Sequence, residues 1–426
     1  MKPVLQLALD FVDLERALKV ASESQSSVDW IEAGTPLIKS EGLNCVRELK
    51  KNFPKHVIVA DMKTMDAGRV EVEAAAKAGA HVVEVCGAAG DETLRECVQA
   101  ARNYGVKILV DLIGVEESRI AERAKQAERI GADFVGVHTS IDEQMNAKQP
   151  FGKLKKVVES VSIPVAAAGG LNSESIVDAL KSGAGILIVG GAVAKAENAG
   201  KAAAVMKKAV SSGSKVESRM FKRSTDVENI FRKVSTANIS DAMHRSFGLR
   251  KAKRISVKNM VGRATTVRTM PGDWAKPVEA IDVAEEGSVI VIDAFGVGPA
   301  VWGELATESA LRKKLSGVVV WGAVRDVEEL KKSGFNVYAR RVMPTAGEPK
   351  GFGEINVSLS IHGVVINPGD WVIGDEDGVV VVPNDRSVET ANRAMDILER
   401  ENRIRKEIKQ GSTLSKVTNL LRWEKK

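Results

Sequence analysis

The sequence predicts an α/β protein: a (β/α)8 TIM barrel over residues 1–210, a linker over 211–224, and a second, mixed α+β domain over 225–426. Three observations predict it. Eight short apolar runs recur about every 20–30 residues in the first half, with amphipathic segments between them. Each run ends on a charged residue, a histidine or a glycine pair. The texture changes after a polar, aperiodic stretch, and 426 residues exceed one ordinary domain.

The runs are Val4–Leu9, Trp30–Ile31, Val57–Ala60, Val82–Val85, Ile108–Val110, Phe134–Val137, Pro164–Ala168 and Ile186–Val189. Continuous apolar strands are buried on both faces, which means a parallel sheet. Leu14–Ser22, Arg69–Ala78, Glu92–Asn103, Ser118–Ile130 and Ser173–Ser182 read as the intervening helices. Gly79-Ala80, Gly131-Ala132 and Gly183-Ala184 close three of them, with glycine in the left-handed conformation that a helix end favours. Eight strand–helix units in about 210 residues fit a closed barrel; a doubly wound open sheet is the structural alternative.

Composition narrows the function classes. With 44% hydrophobic and 28% charged residues the chain reads as a soluble globular protein. Met1–Asp10 has too short an apolar run for a signal peptide, and no run approaches the roughly 18 residues of a membrane span. Cys45, Cys86 and Cys97 lack the spacing of a disulfide framework or a zinc site. The expected setting is cytoplasmic, with no membrane partner. Residues 1–212 hold 27 Lys/Arg and 28 Asp/Glu, a net of −1; residues 213–254 hold 11 and 4, a net of +7. This basic segment, around Lys222-Arg223 and Arg250–Arg254, lacks the interleaved aromatic residues of a stacking platform. It reads as linker and solvated helix face, which argues against nucleic acid as a partner.

The strand ends carry the candidate chemistry, because barrel enzymes place their active sites there. They are Asp10, Glu32, Asp61 with Lys63, Glu84, Asp111, His138, Gly169-Gly170 and Gly190-Gly191. Alone, the loop at 56–68 reads equally well as a solvated βα loop; the other strand ends tip the balance. Glu32 and Asp61 are hard oxygen ligands on adjacent strands, suited to magnesium, with manganese as the alternative. Lys63 adds positive charge for a developing oxyanion. His138 is the histidine at a strand end and the natural general acid or base. The glycine pairs after strands seven and eight suit a phosphate held by backbone N–H groups.

Asp61-x-Lys63-x-x-Asp66 resembles the signature of the orotidine-phosphate decarboxylase superfamily. Within it, Glu32-Ala-Gly-Thr-Pro-Leu-Ile-Lys39, Val137-His-Thr-Ser-Ile-Asp142 and Val189-Gly-Gly-Ala192 resemble the 3-hexulose-6-phosphate synthases, over about residues 1–210. The resemblance implies aldol joining of formaldehyde to D-ribulose 5-phosphate, and the reverse, through a magnesium-stabilised enediolate. It implies Glu32 and Asp61 as metal ligands, Lys63 and Asp66 as catalytic or substrate-contacting, His138 as the proton-transfer residue and Asp10 as a substrate-hydroxyl contact. It also implies a dimer in which Asp66 reaches the partner's site. Orotidine-phosphate decarboxylases need no metal, and the Glu32-Ala-Gly-Thr-Pro block argues against them. The 3-keto-L-gulonate-6-phosphate decarboxylases are the alternative; they carry arginines where this chain has Thr139-Ser140-Ile141 and Gly190-Gly191.

In the second half, strands are expected at Gly262–Thr269, Ser288–Ile292, Val318–Trp321, Asn336–Ala339, Val364–Ile366 and Val379–Val382. Pro-Gly-Asp turns stand at 271–273 and 368–370, with helices at about 276–286, 304–315 and 325–333 and a last one from about Asp385 to Lys409. Gly303-Glu304-Leu305 and Gly322-Ala-Val-Arg325-Asp326 resemble the family of the regulator of ribonuclease activity A and the class II 4-hydroxy-4-methyl-2-oxoglutarate aldolases, over about 225–385. That resemblance implies a swivelling β/β/α-like domain, Asp326 as a metal ligand, Arg325 on the carboxylate of a 2-oxo acid and Glu304 assisting through water. It also implies trimers or hexamers. Trp321-Gly322 and Pro271-Gly-Asp273-Trp274 depart from the family pattern, so a metal-dependent 2-oxo acid lyase and a non-catalytic binding module both stand.

Overall fold

Eight parallel strands close into a barrel in the order in which they occur in the chain. They are β1 (Val4–Leu9), β2 (Trp30–Ala33), β3 (Val57–Thr64), β4 (Val82–Cys86), β5 (Lys107–Asp111), β6 (Phe134–His138), β7 (Val165–Ala168) and β8 (Ile186–Val189). The computed structural model describes residues 2–147, 151–217, 223–246, 248–249, 252–255 and 259–418. Residues 218–222 of the expected linker and Arg250-Lys251 of the basic segment lie outside the described residues.

The period-2 alternation of a strand divides each run between two cores. Leu5, Ile31, Ile58, Val83, Ile108, Val135 and Leu187 face outward and pack with the helices. Ala8, Val59, Val82, Leu109, Phe134, Ala166 and Ile186 fill the interior. Each of the larger side chains contributes about 1.5–3 kcal/mol by leaving water. One step of the alternation beyond Ala8, Trp30, Val59, Val82, Leu109 and Gly136, the inward positions are Asp10, Glu32, Asp61, Glu84, Asp111 and His138. The apolar interior thus gives way, at the C-terminal mouth, to a ring of titratable groups. At the other end Trp30 meets Phe134 edge-on with ring centres 5.6 Å apart. The closing glycines Gly79, Gly131 and Gly183 all have φ between 96° and 110°, as the Gly-Ala pairs predict.

The contacts divide the chain into two compact units: residues 1–144, 148–222 and 399–426 form one, and 145–147 with 223–398 the other. The C-terminal helix, expected wholly within the second domain, runs Ser387–Lys409 and contributes its part from Glu399 onward to the barrel unit.

The second unit is built on a mixed sheet. Its strands are β9 (Lys253–Arg254), β10 (Met260–Thr269), β11 (Val289–Asp293), β12 (Ala300–Trp302), β13 (Gly317–Val324), β14 (Val337–Val342), β15 (Gly353–Ile355), β16 (Leu359–Ile361), β17 (Val364–Ile366), β18 (Trp371–Gly374) and β19 (Val379–Val382). The main order is β19-β18-β10-β11-β13-β14-β9, with β12 on β13 and β15 on β10. β10, β11, β13 and β14 run parallel, while β9, β15, β18 and β19 pair antiparallel. The expected helices appear at Ala275–Val283, Glu304–Arg312 and Val327–Ser333. β9, β12, β15, β16 and β18, each of two to four residues, were not expected.

Candidate functional site

The barrel mouth holds a connected group of charges in which the two aspartates are buried and Lys63 and His138 partly so. Lys63 Nζ donates to both oxygens of Asp61, at 3.0 and 2.9 Å, and to Asp111 Oδ2 at 3.0 Å. The same Asp111 oxygen lies 2.9 Å from His138 Nδ1, and Asp111 Oδ1 accepts from the Ile113 N–H at 2.9 Å. Thr35 Oγ1 donates to Asp61 Oδ2 at 2.6 Å. The ladder from β3 to β4 shifts register between Asp61 and Thr64, and Lys63 adopts φ 46°. Such a bulge re-aims a side chain at a cost on the order of 1 kcal/mol.

Electrostatics follow from this wiring. Burial would raise the Asp111 carboxyl, but His138 and Lys63 outweigh it and hold it at about 2. Burial would lower His138, but Asp111 holds its pKa above the ordinary imidazole value. Lys63 is likewise raised, since Asp111, Asp61 and Glu84 overcome its desolvation. Glu32 and Glu84 are pushed well above the carboxylate range by burial and by neighbouring acids. Asp10 is raised by burial and by Asp61.

Oxygens of Glu32, Asp61 and Glu84 lie within 4.8 Å of one another, and all three residues are buried. Gln6 bridges the two glutamates from below, its Nε2 donating to Glu32 Oε2 at 2.7 Å and to Glu84 Oε1 at 3.1 Å. Its own Oε1 is buried without a partner among the described residues. Three acids this close need protons or a cation, so the donor set fits a hard divalent ion.

Asp10 faces the eighth-strand turn: a Cβ built on Gly190 would lie 3.3 Å from Asp10 Oδ2. Gly169 and Gly170 have φ 101° and 70°, and the N–H groups of Gly170, Gly190 and Gly191 meet no backbone acceptor among the described residues. Lys195 lies alongside, its Nζ 3.5 Å from a Cβ built on Gly191. Asp66 stands apart on the exposed loop after β3, where its carboxylate accepts from the Ala67 N–H at 2.7 Å. Its neighbours Met65 and Val70 are 53% and 66% exposed.

Lys63, Asp61, Glu32 and His138 therefore come together as one group, Asp10 and the glycine pairs line its rim, and Asp66 does not join it. Glu84 and Asp111 were visible as strand ends, but nothing in the sequence singled out Asp111 as the shared partner of Lys63 and His138. Gln6, Thr35 and Lys195 were missed. The signal for Gln6 was a polar residue within the apolar run Val4–Leu9.

The second unit brings Glu304, Arg325 and Asp326 together at a surface. Asp326 Oδ2 accepts from the Glu304 N–H at 3.1 Å and lies 3.5 Å from Arg325 Nε. A Cβ on Gly303 would sit 2.5 Å from that oxygen, so any larger residue there would push the Asp326 carboxylate aside. Arg325 and Asp326 side chains remain 45% and 37% exposed. Asp326 belongs to no group of three potential metal ligands among the described residues. Trp321 is buried, with the Arg340 guanidinium 4.6 Å over its ring and His362 edge-on at 4.7 Å. Asp273 acts structurally: it accepts N–H bonds from Ala275, Lys350, Gly351 and Phe352 and so ties residues 350–352 to its own turn.

Residues 3–206 match the model of the orotidine 5′-phosphate decarboxylase/HUMPS family, and residues 236–381 match the RraA-like Aldolase/RraA model. The chain is 39% identical over 206 residues to a 3-hexulose-6-phosphate synthase of Mycobacterium gastri, covering 48% of this chain and 99% of the relative. It is 36% identical over 210 residues to that of Bacillus subtilis, covering 49% and 99%. A solved structure of the RNA-processing inhibitor RraA from Thermus thermophilis is 31% identical, covering 35% of this chain and 92% of that one, with a TM-score of 0.33.

Proposed function

Because the chain belongs, through its barrel, to the orotidine 5′-phosphate decarboxylase/HUMPS family and has 3-hexulose-6-phosphate synthases as relatives, we propose that it joins formaldehyde to D-ribulose 5-phosphate and catalyses the reverse cleavage. The observation that carries this reading is the network linking Asp61, Lys63, Asp111 and His138, in which Asp61 also clusters with the buried Glu32 and Glu84. Glu32 and Asp61, with Glu84 beside them, would hold magnesium or manganese. When bound, the ion lowers the energy of negative charge on the sugar oxygens.

The chain's own residues supply the rest. The glycine turns after β7 and β8, with Lys195, bind the phosphate and so fix C1 of the sugar over the acids. His138 takes a proton from C1, leaving an enediolate, and Asp111 orients the ring and stabilises the imidazolium that forms. Lys63, kept protonated by its two aspartates, neutralises the enediolate oxygen. C1 attacks the formaldehyde carbon, and His138 returns its proton to the new alkoxide, giving D-arabino-hex-3-ulose 6-phosphate.

The test mixes the purified chain with ribulose 5-phosphate, formaldehyde and magnesium. Formaldehyde should be consumed, and Asp61→Ala should abolish it; an Asp61→Ala protein equal to wild type would sink the reading. Release of carbon dioxide from 3-keto-L-gulonate 6-phosphate would point to the decarboxylase instead. Asp66 is proposed to act in a partner's site, consistent with its separation from its own network and its exposed apolar neighbours. Sedimentation should then show a dimer or a multiple of it, up to a hexamer through the second domain.

For the second domain the assembled Glu304, Arg325 and Asp326 support a metal-dependent 2-oxo acid lyase, whereas buried Trp321 favours a binding role. Oxaloacetate turnover with magnesium or manganese, lost in Asp326→Ala, decides for the lyase; absence of turnover decides for binding.

A further inference from the structure

The C-terminal helix returns a buried arginine to the barrel unit. Arg403 is 4% exposed, and its guanidinium is fully engaged. Nε donates to Glu407 Oε1 at 3.1 Å, and Nη2 to Glu23 Oε2 at 3.2 Å. Nη1 donates to two carbonyls, Ala196 at 2.9 Å and Ala194 at 3.2 Å. Next to it, Lys406 Nζ donates to the Glu197 carbonyl at 2.9 Å. Glu407 is held in turn by Lys19 at 3.2 Å and Arg16 at 3.5 Å. A buried guanidinium is costly unless its donors are matched, and here two carboxylates and two carbonyls match it.

The carbonyls matter because of what precedes them. Ala194 ends the single helical turn Gly191–Ala194 that follows β8, and such a turn leaves its last carbonyls without partners of its own. The segment is tied together internally: the N–H groups of Val193 and Ala194 both bond to the Gly190 carbonyl at 3.0 Å, and Lys195 N–H to that of Gly191 at 3.0 Å. A shift at Ala194 or Ala196 is therefore passed to Gly190, Gly191 and Lys195.

We infer that Arg403 is a positioning residue for substrate phosphate: from the C-terminal helix it anchors the back of the 190–196 turn whose front binds the phosphate. This rests on the phosphate role proposed above. It also means that residues lying beyond the second domain in the chain complete the barrel's substrate site.

The test uses the full-length chain with Arg403→Met and Arg403→Lys. Arg403→Met should raise the KM for ribulose 5-phosphate and the inhibition constant of inorganic phosphate in parallel, by about tenfold, as a small misplacement of a binding group does. kcat and the KM for formaldehyde should stay within about twofold. Arg403→Lys, which keeps a charged donor, should recover part of the loss. A folded Arg403→Met with wild-type KM and phosphate inhibition would overturn the inference, even if its thermal stability fell, because that is the signature of a purely structural tie. If Arg403→Met does not fold, Glu23→Gln and Glu407→Gln loosen the guanidinium without removing it. A rise in the same two constants supports the inference, and no change in either variant overturns it. Failure of the underlying phosphate role would appear differently: inorganic phosphate would not compete with ribulose 5-phosphate in the wild type.

Discussion

Both units place an acid beside a base at the end of a parallel strand, yet the two pairs are built differently. In the barrel, Asp61, Lys63, Asp111 and His138 share four hydrogen bonds, with both aspartates nearly fully buried. In the second unit, Arg325 and Asp326 touch through one 3.5 Å contact and stay about half exposed. Water screens the exposed pair, so its mutual attraction is worth little. Inside the barrel mouth the same charges act at low dielectric, where each sets the protonation of the others. A strand end becomes a reaction centre when its charges are buried together, and an acid–base motif alone does not ensure that.

The largest effect should come from the acid that touches both the lysine and the clustered carboxylates. Asp61→Ala removes a proposed cation ligand and both Lys63 contacts, so kcat/KM for formaldehyde and ribulose 5-phosphate should fall on the order of a thousandfold. A fall of only a few-fold would mean that the network is structural and would erase the contrast between the two units.

Asp111→Asn should cost about a hundredfold and, more tellingly, move a titration. Asp111 raises His138, so without its charge the acidic limb of kcat/KM should shift to lower pH. The effect on stability has a definite sign. His138 is raised on folding, so its contribution is complete below about 6.5 and lost as pH rises through the folded value. Asp111 is depressed to about 2, so its contribution is complete above about 4 and lost as pH falls toward 2. The stability gap between wild type and Asp111→Asn should therefore be widest between about pH 4 and 6.5, measured by denaturant unfolding across pH. A gap that does not change with pH would show that the pair is not ionised as drawn.

The barrel was legible because its signals repeat. Eight apolar runs that each end on a charged residue, a histidine or a glycine pair mark the strand ends, so Glu32, Asp61 and His138 could be placed at one mouth without coordinates. Pairing within that mouth was not legible: Asp111 and Glu84 lie on strands distant in sequence from their partners, and only barrel closure brings them to Lys63 and Gln6. The role of Arg403 was hidden for the same reason, since 207 residues separate it from Ala196. In the second unit the longer parallel strands were readable, as were the unbroken valine-rich runs of β17 and β19, whereas the other strands of two to four residues, β9, β12, β15, β16 and β18, were not.

Asp273 sharpens the comparison from the other side, as a buried acid used for structure. It accepts four backbone N–H groups, one from nearby Ala275 and three from Lys350, Gly351 and Phe352, 77 to 79 residues away. Asp273→Ala leaves those donors unmatched and should destabilise the second unit by about 2–4 kcal/mol, seen as an earlier unfolding transition. Formaldehyde consumption by the barrel should be unchanged at temperatures below that transition.

The smallest effect is expected at the exposed pair itself. Asp326 sits at φ 58° as the cap of the Val327–Ser333 helix, a conformation that asparagine also tolerates. Asp326→Asn keeps an oxygen for the Glu304 N–H and loses only the charge facing Arg325. Stability should change by less than about 0.5 kcal/mol, as for other exposed ion pairs. Formaldehyde consumption should stay within about twofold. If oxaloacetate turnover exists, it should vanish in this variant, because a metal ligand's charge cannot be replaced by an amide of the same shape. A loss of stability well beyond 0.5 kcal/mol would instead show that the pair is a structural clamp, and that exposure does not separate the two units as the hydrogen-bond geometry indicates.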